Sequence, residues 1–158
     1  MTNVSVAKFM LTVRVVMLAF AYMWIAMIHF ALPHRANWFY GWGSILAAFL
    51  TGAVIGLRFH DVGFWGGYDS FRRRIVRLGH VALAALGMIN ILFGLSPCPA
   101  AGHWACRPAS AAFIAGGIAM PVVCFLCGWR PIWRRLFFIP VALLVAAVVL
   151  TLLGGAVP

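Results

Sequence analysis

Five apolar runs, each close to the roughly 20 residues that an α-helix needs to cross a bilayer, account for most of this chain. They cover about residues 9–32, 38–57, 75–96, 109–129 and 136–155. The connections between them are short, so residues 1–158 are expected to form a single membrane domain. Composition agrees: 65% of residues are hydrophobic and 9% charged, whereas a soluble domain is about half apolar and a quarter charged. The fold class this implies is an all-α integral membrane protein, a bundle of about five transmembrane helices. The first run is longer than the roughly 7–15 residues of a signal-peptide core and lacks a clear small-x-small cleavage site. It is therefore expected to be a retained span.

Charge placement gives the orientation. The chain has 12 Lys and Arg against 2 Asp and Glu. With the N-terminus in the cytoplasm, Lys8, Arg14, Arg58, Arg72, Arg73, Arg74, Arg77, Arg130, Arg134 and Arg135 all fall on the cytoplasmic side, and only Arg35 and Arg107 fall outside. Such an asymmetry in short loops is the positive-inside pattern. An odd number of spans then places the C-terminus outside. The expected location is the bacterial inner (plasma) membrane. The basic balance does not predict nucleic-acid binding, because no basic face assembles away from lipid.

Several local features refine this picture. Trp38, Tyr40 and Trp42 open the second run with aromatics that favour the headgroup level. Gly52 and Gly56 have the GxxxG spacing that lets another helix approach closely. The longest polar connection, 58–74, interleaves aromatics with arginines and suits a segment lying in the membrane interface. Arg72, Arg73, Arg74 and Arg77 are its candidates for contact with lipid headgroups or a partner. Pro121 predicts a disturbed hydrogen-bond ladder within the fourth run, and Pro140 falls in the first turns of the fifth.

The four cysteines divide by compartment. Cys98 and Cys106 share one short outer loop, where thiols oxidise, and are expected to form a disulfide. Cys124 and Cys127 form a CxxC near the cytoplasmic end of the fourth run. With Met120 one turn earlier they offer soft ligands for a metal such as Cu(I). Their apolar neighbours favour plain packing instead.

Intramembrane histidines face cavities, cofactors or other helices, because an imidazole against lipid is costly. His29 lies near the outer end of the first run and His80 near the inner end of the third. At about 1.5 Å of rise per residue they sit on the order of 20 Å apart in depth, too far to share one haem. A single-histidine haem or related tetrapyrrole remains open to either. On the third run, His80, Ala84, Gly87, Asn90 and Gly94 form one stripe at about 100° per residue. That stripe is expected to look into protein, either as interhelical glue or, through His80 and Asn90, at a cofactor.

No intramembrane carboxylate, GxSxG, Walker A or HExxH motif occurs, which argues against an autonomous hydrolase, an ATP-driven machine or a proton-coupled transporter. The expected function is an accessory or assembly subunit of a larger respiratory or photosynthetic electron-transfer complex, mainly structural, with the bilayer and other membrane subunits as partners. The alternatives are a small redox protein holding a tetrapyrrole through one histidine, and a facilitator for a small molecule or metal ion. No specific cofactor can be read from the residues.

Overall fold

Residues 33–58, 60–96 and 104–155 are described by the computed structural model of the chain. They form four long helices: α1 (Pro33–Leu57), α2 (Phe71–Leu95), α3 (Cys106–Trp129) and α4 (Phe138–Gly155). A 3₁₀ segment, Pro131–Phe137, leads into α4, and a short one, Phe64–Gly66, interrupts the α1–α2 connection. No strand occurs among the described residues. Four of the expected five spans are thus seen as helices long and apolar enough to cross a membrane, which makes the chain a multi-pass membrane protein. The first expected span, 9–32, lies outside the described residues.

The helix starts differ from those the hydropathy pattern predicts. α1 begins at Pro33, five residues before the expected start, with proline in the first helical position, where its missing N–H is least needed. α2 begins at Phe71 because Ser70 caps it: extended at φ −65°, ψ 138°, Ser70 accepts the Arg73 N–H on Oγ at 3.2 Å. The expected loop 58–74 therefore ends four residues early. Arg72, Arg73 and Arg74 belong to the first turn of α2 rather than to an interfacial loop. α3 runs unbroken through Pro121.

Close approaches fix the helix order. α1 and α2 run antiparallel with their backbones almost touching: a methyl group on Gly41 would sit 2.6 Å from the Gly87 carbonyl oxygen, and one on Gly87 would sit 2.8 Å from that of Gly41. The Ser44 hydroxyl crosses the same seam to the Leu83 carbonyl at 2.8 Å. α3 packs antiparallel to α2, with Gly79 against Cys124 and Gly128 against Val76. It packs antiparallel to α4 as well, where Gly116 meets Leu144 and where Phe93, Ala109, Phe113 and Ala147 form a common cluster. The glycines, alanines and cysteines on α3 make it slim enough to touch three neighbours, and it is the most buried of the four. α4 is the least buried. Its outward face of Val141, Val145, Val148, Val149 and Leu152 is exposed and wholly apolar, as a lipid-facing surface must be.

One end of the bundle is closed by the connection 58–70. Asp61 Oδ1 accepts the Gly63 N–H at 3.0 Å, and Phe64 stacks on Trp65 at 4.3 Å between ring centroids. The chain then turns through Trp65 at φ 54° and the glycines 66 and 67 at φ 89° and 92°. A left-handed tryptophan costs about 1–2 kcal/mol. It is held there because the Ser70 hydroxyl donates to its carbonyl at 2.7 Å and the residue packs against the buried cluster of Ile75, Val76, Val123, Cys124 and Cys127. Ser70 thus closes the turn with its proton and caps α2 with its lone pair.

Candidate functional site: a buried polar seam and His80

The polar side chains of the described helices gather along the seam where α1, α2 and α3 meet. Asn37 and Asn90 are 0% exposed, and Ser110 is 4% exposed. Asn90 sets the geometry. Its amide nitrogen is placed by two carbonyl acceptors, Leu86 at 2.8 Å and Phe113 at 3.4 Å. Its Oδ1 must therefore face α1, where Asn37 meets it with its own amide nitrogen at 2.8 Å. That nitrogen also approaches the Ser110 carbonyl at 3.4 Å, and the remaining oxygen of Asn37 accepts the Ser110 hydroxyl. Three helices are joined by one chain of amides with each amide oxygen and nitrogen engaged. In an apolar interior this matters because an unmade hydrogen bond costs more than a made one contributes.

Tyr40 lies one turn from Asn37 and is 1% exposed, so it points inward rather than to the headgroup level where the sequence pattern predicts it. Its phenol oxygen would lie 2.7 Å from a methyl group on Gly117. Gly117 is the residue whose carbonyl loses its usual helical donor to the proline at 121. A bulky phenol fits there only because position 117 has no side chain. Trp38 and Trp42, by contrast, are half exposed and meet edge to face at 6.3 Å between centroids, as an interfacial belt would.

His80 lies toward the other end of the α1–α2 seam and is half-buried. Its ring sits over Gly52, where a methyl group would come within 2.7 Å of Cε1. Gly52 thus makes room for an imidazole, whereas Gly56, its partner in the GxxxG pair, has no neighbour within 4 Å of a would-be methyl. Nδ1 of His80 lies 3.2 Å from the Thr51 hydroxyl. That hydroxyl has one proton, and it donates it within α1 to the Ala47 carbonyl at 2.8 Å, with the Ala48 carbonyl at 3.1 Å. With that proton used within α1, the Thr51 oxygen is left to accept from Nδ1–H of His80.

The soft-metal candidates lie in an apolar stretch of α3. Cys124 and Cys127 are both free and 0% exposed, within a cluster of Ile75, Val76 and Val123. Met120 is partly buried one turn away. Among the described residues no three His, Cys, Asp or Glu side chains come together as a metal-binding group. His29 and Cys98 lie outside the described residues, so neither the tetrapyrrole role considered for His29 nor the pairing of Cys98 with Cys106 is described.

The arginines singled out at the start of α2 divide. Arg73 is 2% exposed, with its guanidinium carbon 3.9 Å from the centre of the Tyr68 ring. Arg74 reaches back to the Asp69 carbonyl with Nη2 at 2.5 Å and Nε at 3.2 Å. Arg72 and Arg77 are exposed. Asn37, Ser44, Thr51 and Ser110 are the polar contributors that the sequence pattern did not single out. The available signal was their recurrence on the small-residue faces of α1 and α3.

No protein-family model, curated protein or solved structure matches this chain.

Proposed function

We propose that the chain is an accessory or assembly subunit of a larger membrane-embedded electron-transfer complex, respiratory or photosynthetic, and that its role there is mainly structural. The observation that supports this reading is the use made of its intramembrane polar groups. Asn37, Ser44, Asn90 and Ser110 bond across helix seams to one another or to backbone carbonyls, so they lock the bundle rather than converge on a shared open space. Between their ends, the described helices turn mainly apolar side chains outward. Such a molecule supplies packing surface. In this reading it crosses the bacterial inner membrane five times, N-terminus inside and C-terminus outside, with the ten-to-two distribution of basic residues as support.

The test is extraction in a mild detergent, followed by a native gel and an absorption spectrum. A defined larger band with reproducible partner subunits is expected. A chain that migrates alone and carries a stoichiometric Soret band would overturn the structural reading in favour of a second one, a small tetrapyrrole protein ligated through His80. That second reading has its own support. A histidine with Nδ1 within hydrogen-bond distance of the Thr51 oxygen has the kind of orienting contact that leaves Nε2 to a metal bond.

A further inference from the structure

The end of the bundle formed by the start of α2 and the end of α3 carries a basic surface whose members are far apart in sequence. A methyl group on Gly128 would lie 2.6 Å from Val76 and 3.9 Å from the Arg72 carbonyl oxygen, which puts the α3–α4 connection beside the first turn of α2. That connection is anchored from beneath: Leu136 and Phe137 pack against the cluster of Ile75, Val76, Cys124 and Cys127. Anchoring those two turns the preceding residues outward. Arg130, Arg134 and Arg135 are exposed, as is Arg72. Between them Ile132 is 71% and Trp133 40% exposed. The carboxylates at this end, Asp61 and Asp69, both belong to the 58–70 connection, and Asp61 is engaged with Gly63.

We propose that Arg72, Arg130, Arg134 and Arg135, with Ile132 and Trp133 between them, bind the phosphate headgroups of anionic phospholipids. Charge selects the ligand: four exposed guanidiniums, each able to fork onto a phosphate, complement a headgroup of net negative charge better than a zwitterionic one, whose own ammonium offsets its phosphate and is repelled by the arginines. Position selects a lipid over a soluble anion. The arginines lie at the mouths of membrane-length helices, and the exposed indole and isoleucine beside them are what an interfacial segment inserts below the headgroups. Of the four arginines that the sequence alone points to for this role, Arg73 is turned inward and Arg74 reaches onto the Asp69 carbonyl, while Arg72 and Arg77 stay exposed. The 130–135 segment extends the surface beyond Arg72.

The test uses the full chain in dodecyl maltoside micelles, with retained lipid measured by native mass spectrometry against added phosphatidylglycerol or phosphatidylcholine. Preference for phosphatidylglycerol is expected in the wild type, weakening as salt rises. Each arginine replaced should reduce that preference by about fivefold, and Arg130→Gln/Arg134→Gln/Arg135→Gln by on the order of a hundredfold. Arg35→Gln/Arg107→Gln, at the other end, should leave it unchanged. If the triple variant fails to fold by circular dichroism, the single variants Arg134→Gln and Arg135→Gln, at exposed positions, carry the measurement. Equal retention of both lipids by the wild type, equal loss from changes at either end, or displacement of phosphatidylglycerol by millimolar inorganic phosphate would each overturn the proposal. So would unchanged lipid retention in the triple variant together with loss of a co-purifying protein, which would assign the surface to a protein partner.

Discussion

Asn37 on α1 donates its side-chain amide to Asn90 Oδ1 on α2 across 2.8 Å, between positions 53 residues apart in the chain. Replacing Asn90 with leucine removes that acceptor and leaves a buried amide nitrogen with only a long contact to the Ser110 carbonyl. Asn90→Leu is expected to destabilise the bundle by about 1–2 kcal/mol, and a double-mutant cycle with Asn37→Leu should give a coupling of about 0.6–1.7 kcal/mol. Unfolding in mixed micelles with increasing dodecyl sulfate measures both. Additive single and double variants would show that the two amides do not act together.

The glycines give a contrast in space rather than chemistry. Gly87→Ala would place a methyl group 2.8 Å from a backbone oxygen on α1, and backbone cannot move aside as a side chain can. A loss of about 1–3 kcal/mol is expected. Gly56→Ala meets open space and is expected to lie within about 0.5 kcal/mol of wild type. Melting temperatures in one detergent compare the pair, and equal destabilisation would contradict the α1–α2 crossing described above.

His80 separates the two functional readings. If it is interhelical glue, His80→Gln should keep the chain assembled at a cost of about 1 kcal/mol, since a long amide can replace one hydrogen bond. If it is an axial ligand, the same change should abolish a visible absorption band. Thr51→Val, which removes the acceptor of the Nδ1 proton, should then shift that band without abolishing it. A colourless wild type whose His80→Gln variant assembles normally ends the ligand hypothesis for this residue.

Thiol chemistry and topology are tested together. Cys98 and Cys106 are expected to be disulfide-linked in protein from intact membranes, and Cys124 and Cys127 to remain reduced. A small maleimide should label Cys98 and Cys106 only after reduction. Cys124 and Cys127, being fully buried, should label only after unfolding. With the C-terminus outside, an alkaline phosphatase fused after Pro158 should be active; an inactive phosphatase with a fluorescent protein glowing at the same site would reverse the orientation.

Much of this arrangement is legible along single helices and little of it between them. The 100° stripe of α2 points the right way: His80 meets Gly52, Gly87 meets Gly41 and Asn90 meets Asn37. A stripe shows that a helix has a partner without showing which polar residue elsewhere shares its depth, so Asn37 and Ser110 could not be paired with Asn90 in advance. Asn37 is also hidden by the hydropathy boundary, which opens the second run one residue later. Ser70 is a capping residue in plain view, but the arginines after it read as loop. The left-handed Trp65 leaves no local trace, because its conformation is imposed by packing against the buried cluster and by Ser70 rather than by its own preference.

The Asn37–Asn90–Ser110 contact is directional in a way that the surrounding apolar contacts are not. A leucine slid along a helix by one turn, about 5.4 Å, finds another greasy neighbour; either asparagine, moved as far, loses every partner it has on the neighbouring helices. Axial sliding, one way packed helices switch between states, is therefore closed to the α1–α2–α3 core. Among the described elements, sliding is left to α4 and to the connections, and a protein docked on the core feels a strut rather than a lever.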